Sequence, residues 1–172
     1  EMIHHLSPLG IRVPQGFCTT AHAFRLFLEH NNLASPMRAL YAELDSQNLN
    51  NLSDIAARLR SLVRDAKLPP QLVDECVRSI NEMALENLPL AVRSSATAED
   101  LPDASFAGQH DSFLNILGCD AILDAVQRCY ASLFNDRAIK YRIDHGFDHL
   151  SVAISVGVQQ LVHAETGSSG VA

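Results

Sequence analysis

The sequence has no tryptophan, only two lysines (Lys67 and Lys140), few aromatics and no long apolar run. Each shortage removes a class of protein. No stretch reaches the ~18 or more apolar residues that a membrane helix requires, so no membrane partner is expected. The 13 Lys and Arg are outnumbered by 20 Asp and Glu, giving a formal charge of −7. The basic residues do not cluster either, which argues against a duplex-binding surface and against nucleic acid as a partner. The opening residues carry histidines and no basic region followed by an apolar run, so no secretory leader is expected. Cys18, Cys76, Cys119 and Cys129 form no Cys-x-x-Cys pair and sit among apolar neighbours. They are expected to be buried, reduced thiols in a cytoplasmic protein. Neither G-x-x-x-x-G-K nor G-x-G-x-x-G occurs, so the common phosphate-binding loops are excluded.

What is present is a chain able to build a core. It has 172 residues, 47% of them hydrophobic, which speaks against disorder. Met2, Ile3, Leu6 and Leu9 recur at helical spacing before Gly10. That helix has no visible cap, and Gly170 to Ala172 reads as the start of a strand, so a piece of a longer chain is expected. Between them, an extended segment over 11–20 is broken by Pro14 and Gly16. Thr20 is placed to cap a helix bearing Phe24, Phe27 and Leu28. Ser35-Pro36 suits the start of a second helix through about Leu44. Ser53 is placed to cap a third, with Ile55, Leu59, Leu62 and Val63 on one face. Pro69-Pro70 opens a fourth, with Leu72, Val73, Cys76, Val77, Ile80 and Met83 inward. Strands are predicted over 90–95, 110–117 and 151–162, and helices over 120–134 and 136–145. A helical front half followed by strands and helices gives an α/β (α+β) fold with a mixed sheet.

The strands carry the functional signal. In the last one, Val152, Ile154, Val156 and Val158 alternate with Ala153, Ser155, Gly157 and Gln159. The second face is small, so either a helix packs on it or a flat ligand lies there. Gln159 offers that ligand a directed donor and acceptor. In the first strand, Arg93 shares a face with Ala91 and Ser95, opposite Leu90 and Val92. A charge so placed needs a partner if buried. That partner is Glu99, Asp100 or Asp103, or else an anion. The tract after Arg93, with Ser94, Ser95, Ala96, Thr97, Ala104, Ser105, Ala107 and Gly108, offers backbone N–H groups and hydroxyls suited to phosphate oxygens. Arg93 would be the charge-matched fork. A surface loop held by Pro102 is the alternative.

These residues also resemble a known family. "AVRSSATAEDLPDASFAGQ" is similar to the signature of the ATP-binding domain of phosphoenolpyruvate synthases. "IRVPQGFCTTAHAF", "SLFNDRAIKYR", "GFDH" and "VGVQQLV" fit the same domain. The Arg-Ser-Ser motif belongs to a superfamily that also holds pyruvate phosphate dikinase and rifampin phosphotransferase. The second of these is the runner-up, because Gly108 to Asp111 suits it too, and a non-catalytic nucleotide-binding or interaction domain is a third reading. The resemblance implies a partial ATP-grasp domain, with residues 1–172 its N-terminal part and incomplete at both ends. It implies an enzyme that uses ATP and Mg²⁺ to phosphorylate a histidine and passes the phosphoryl group to pyruvate, with a homodimer expected for the full-length protein. It implies that Arg93 binds the phosphates and acts catalytically, and that Gly108, Ser112 and Gln159 contact the nucleotide. The position of Ser112 is often Thr in the family, so only a hydroxyl is needed there. A phosphate-binding lysine, the metal ligands and the phosphohistidine domain are expected outside these residues, so this piece alone is expected to be inactive. Thr19-Thr20-Ala21-His22 resembles the family's catalytic Thr-Ser-His only superficially. His22 is read as the start of a helix, and the other histidines as surface or packing residues.

Overall fold

The computed structural model describes residues 5–11, 13–45, 48–96, 100–101, 104–105 and 111–162. A 3₁₀ turn, Ser7–Leu9, leads into strand β1, Gly16–Thr19. Four helices follow: α1 (Ala21–His30), α2 (Ala34–Ala42), α3 (Leu52–Asp65) and α4 (Pro70–Glu82). Strand β2 (Leu90–Ala96), two short strands β3 (Asp100–Leu101) and β4 (Ala104–Ser105), and β5 (Ser112–Ile116) come next. Helices α5 (Cys119–Ser132) and α6 (Asp136–Asp144) then lead to β6 (Ile154–Gln160). The expected helix around Met2 and Ile3 and the expected strand at Gly170 lie outside the described residues.

Two helix starts differ from those expected. Helix α2 begins at Ala34, with Leu33 as its cap, rather than at Ser35-Pro36. Pro36 is then the third helical residue, where a backbone N–H would have no partner inside the helix. Helix α3 begins at Leu52 with Asn51 as its cap, and Ser53 lies inside it. The Asn51 side chain braces the preceding turn instead: its Oδ1 accepts from Asp45 N at 2.9 Å and its Nδ2 donates to Glu43 O at 2.8 Å. Thr20 caps α1 as its position suggests, accepting from Ala23 N at 3.2 Å. Pro70 occupies the first position of α4, where its fixed φ suits the helix.

The main sheet runs β1-β6-β2-β5, and β3 and β4 form a separate pair. Every pairing is antiparallel, where the sequence suggests a mixed sheet. The helices lie on one side. Leu90, Val92, Ile154, Val156 and Val158 are all buried against them. Tyr130 of α5 stands at the centre, with ring centroids 5.1 Å from Phe24 and 5.4 Å from Phe27. Its hydroxyl reaches Thr19 Oγ1 at 3.5 Å, and the same oxygen accepts from Val156 N at 3.2 Å. Burial pushes the Tyr130 phenol up to about 12. The strand register is thus tied to the helical layer by a polar link inside an apolar core.

Of the four thiols, Cys76 and Cys129 are buried as expected, and burial pushes them up to about 11 and about 12. Cys119 is partly covered and Cys18 is exposed, which corrects the expectation of four buried thiols. Cys18 has apolar sequence neighbours, but strand alternation turns it away from the core that Phe17 and Thr19 face.

Candidate functional site

The register brings the candidate residues onto one face. Arg93 lies opposite Ser112 of β5 on one side and opposite Gly157 of β6 on the other. Gly157 in turn lies opposite Cys18 of β1. Cys18, Gly157, Arg93 and Ser112 therefore form one cross-strand row, roughly 14 Å from end to end at the usual strand spacing. Directly opposed residues in antiparallel strands project to the same side. Gln159 heads the next row, opposite Ala91 and Gly16. Arg93, Ser95, Ser112, Cys18 and Gln159 are exposed, while Ala91 and Ala153, of the same parity, are buried.

The opposite parity holds the core. Val158 is fully buried beside exposed Gln159, and Val92 beside exposed Arg93. The alternation thus has the register that the sequence predicts. A helix packed on the small-residue face, the first of the two readings for that strand, is not found among the described residues. A bulge sits nearby: Leu90 pairs with Ile116 but Val92 with Phe113, so β5 carries one extra residue. Asn115 takes it up at φ 57°, a conformation asparagine tolerates better than most residues. The shift in pairing sets Ser112 directly across from Arg93.

Among the described residues, the Arg93 side chain makes no ion pair and no hydrogen bond. The acids proposed as its structural partners, Glu99 and Asp103, lie outside the described residues, as does the side chain of Asp100. Gly108 also lies outside them. The Gln159 amide donates to Pro14 O at 3.3 Å, which ties β6 to the segment entering β1. At the end of β6, a hollow of about 680 Å³ is lined by Pro14, Gln15, Gln160, Leu161 and Val162. A second cleft, of about 610 Å³, lies beyond the free edge of β1 between α1 and α4, and His22 is on its wall. Among the described residues no group of three His, Cys, Asp or Glu could hold a metal ion. No Mg²⁺ site is therefore assigned to them. No helix among them is long and apolar enough to cross a membrane.

A second polar cluster escapes sequence reasoning. Arg142 is wholly buried, with Nη1 donating to Leu133 O at 2.8 Å, Nη2 to Tyr41 Oη at 3.3 Å and Nε to His149 Nδ1 at 3.2 Å. All three acceptors are uncharged. His149 stacks on Tyr41 at 4.1 Å. Burial, and then the Arg142 charge, push His149 down to about 4. Burial likewise lowers Arg142 and raises Tyr41. The available signal was helical spacing: Arg142 falls three residues after Ile139 and four after Ala138, on the buried face of α6. His145 and His149 stand four apart, a spacing found in helical metal pairs. Helix α6 ends between them, at Asp144, and His145 stacks instead on Tyr141 at 4.0 Å. Both are packing residues.

The chain is similar to known proteins over its whole described length and beyond. The family model described as "Pyruvate phosphate dikinase, AMP/ATP-binding domain" matches residues 1–172. The chain is 50% identical over 173 residues to the phosphoenolpyruvate synthase of Pseudomonas aeruginosa, covering 99% of this chain and 22% of that protein. It is 47% identical over 175 residues to that of Neisseria meningitidis serogroup B, covering 99% of this chain and 22% of that protein. It is 46% identical over 173 residues to that of Escherichia coli, again covering 99% of this chain and 22% of that protein. The chain thus spans about a fifth of the length of the curated relatives it matches. With a family model matched from end to end, the chain belongs to the pyruvate phosphate dikinase AMP/ATP-binding domain family.

Proposed function

We propose that these residues are part of the ATP-binding domain of a phosphoenolpyruvate synthase. The full-length enzyme takes a phosphoryl group from ATP onto a histidine outside this chain and passes it to pyruvate, yielding phosphoenolpyruvate, AMP and phosphate. The relatives are named for that activity. The observation that carries the reading is the row in which exposed Arg93 and Ser112 stand side by side, with Gln159 one row away. A guanidinium without a described protein partner, beside a hydroxyl, is chemistry suited to phosphate oxygens. Arg93 offsets charge on the phosphates and on the transferring group. Ser112 donates a hydroxyl to an oxygen, and Gln159 holds a polar edge of the nucleoside. Gly108 belongs to the segment that closes over the phosphates. Mg²⁺, when bound, would neutralise phosphate charge, with its ligands supplied from outside the described residues. The cytoplasm is the compartment that fits ATP and pyruvate as substrates.

The test is Arg93→Ala in the full-length enzyme, read by single-turnover histidine phosphorylation and by melting temperature. The expected loss of transition-state stabilisation is on the order of 2–5 kcal/mol, with an unchanged melting temperature. Arg93→Lys recovers only part, because an ammonium lacks the planar fork. Normal phosphorylation by Arg93→Ala, with a lowered melting temperature, would make Arg93 a structural ion-pair residue and end the reading.

A further inference from the structure

Two glycines of the sheet differ in why they are glycine. A Cβ on Gly16 would lie 2.3 Å from Val158 O and 2.8 Å from Gln159 Cα, so the pairing of β1 with β6 forbids a side chain there. A Cβ on Gly157 would meet only Cys18 Sγ at 3.6 Å and Arg93 O at 3.7 Å, ordinary van der Waals contacts. Its φ is not positive. The described fold therefore has room for alanine at 157, and glycine inside a strand is less stable than alanine there. Something other than the described fold keeps the position bare. A bare position in a strand often marks where a ligand or another backbone approaches closely.

Its place in the register says what approaches. Gly157 lies across β2 from Ser112, in the Arg93 row, and two residues before Gln159 on the same face. Serine is short, so a phosphate oxygen bonded to Ser112 sits low over the sheet. A ligand held there and also at Gln159 must pass beside Gly157 at that height. We propose that Gly157 is the floor of the nucleotide site, and that the missing Cβ sets how deeply the nucleotide lies. This rests on the nucleotide reading above. It names a residue that excludes bulk rather than one that donates a bond.

The experiment compares ATP affinity by calorimetry in the full-length enzyme for the wild type, Gly157→Ala, Gly157→Val, Arg93→Ala and Ser155→Val. Ser155 shares the strand and the face but lies opposite Ser95, off the path from Ser112 to Gln159. Gly157→Val is expected to weaken ATP on the order of tenfold or more, the effect of overpacking a contact by a few carbon atoms, and Gly157→Ala less. Both should melt at or above the wild-type temperature, and Ser155→Val should bind ATP normally. Wild-type affinity in Gly157→Val, with affinity lost in Arg93→Ala, would overturn the floor and leave the nucleotide reading standing. A lowered melting temperature in Gly157→Ala would overturn it too, showing that protein packs on this face. Equal weakening by Ser155→Val would show that bulk anywhere on the face matters, and would overturn the specific role of Gly157. No ATP binding by the wild type would overturn the nucleotide reading and the floor together.

Discussion

Acid should weaken this fold through one histidine. His149 sits half-buried between the Tyr41 ring, stacked at 4.1 Å, and the Arg142 guanidinium, whose Nε donates to its Nδ1 at 3.2 Å. Protonation would cost that hydrogen bond and set a second positive charge beside the first. Burial and Arg142 accordingly hold His149 at about 4, against an ordinary 6.5. The unfolded chain binds the proton more readily, so the stability that neutral His149 contributes is complete above about pH 6.5. It is lost as the pH falls toward 4 and levels off below that. The full gap between the two values corresponds to ~3 kcal/mol. Solvent screens a half-buried ring, and on the order of 1–2 kcal/mol is the expected effect. The assay is the melting temperature of the domain transition in the full-length enzyme between pH 7.5 and 4.5, for the wild type and His149→Gln. Glutamine keeps an acceptor for Arg142 but does not titrate. The variant should start lower, for want of the stacked ring, and follow a flatter pH curve. The difference should narrow by about 3–6 °C across the range. Parallel curves for the two proteins would refute the reasoning.

Two further substitutions test the frame around the site. Gly16→Ala places a Cβ 2.3 Å from Val158 O, and the displaced β1 should cost about 2 kcal/mol or more in chemical denaturation; a wild-type midpoint would show that the edge strand yields freely. Gln127 Nε2 lies 2.9 Å from Val63 O, 3.1 Å from Arg64 O and 2.6 Å from Ala66 O, so it closes the end of α3 from α5. Gln127→Ala should cost about 1–3 kcal/mol with an unchanged denaturant slope, and no loss would mean that water replaces the amide.

How far the sequence carries the fold depends on the range of the forces that decide each feature. Alternation within β6 is local and strong, because one-residue slippage would bury Gln159 and expose Val158. It was legible, and so was the Thr20 cap, set by one hydroxyl and one N–H three residues on. Helix α2 starts early because Leu33, buried at 6% exposure, anchors the turn through tertiary packing, overriding the better local signal of Ser35-Pro36. The pairing β1-β6-β2-β5 joins segments far apart in the chain, and no short-range pattern specifies antiparallel partners for all of them. The Arg142 cluster was hidden for a similar reason. Its acceptors come from Tyr41, Leu133 and His149, and only the helical position of Arg142 hinted that an arginine would be buried. As for the site, the shared faces could be read within each strand. That Arg93 and Ser112 stand directly opposed depends on the bulge at Asn115, whose extra residue has no mark in the pattern of β5.

The same alternation explains how the proposed nucleotide face can share two strands with the core. Leu90, Val92, Ile154, Val156 and Val158 supply the burial that fastens β2 and β6 to the helices. Arg93, Ser112 and Gln159 project the other way and take no part in that core. The residues that hold the proposed site in place and the residues proposed to act are therefore neighbours in sequence but on opposite sides of one backbone. A rigid floor holds side chains at a fixed spacing without any of them having to stabilise the fold, which is what preorganised charge requires. It follows that Val92 and Arg93, joined by one peptide bond, should fail differently. Truncating the valine opens a cavity under the sheet and disturbs every residue in the row. Truncating the arginine should remove an exposed charge and leave the core and the row intact.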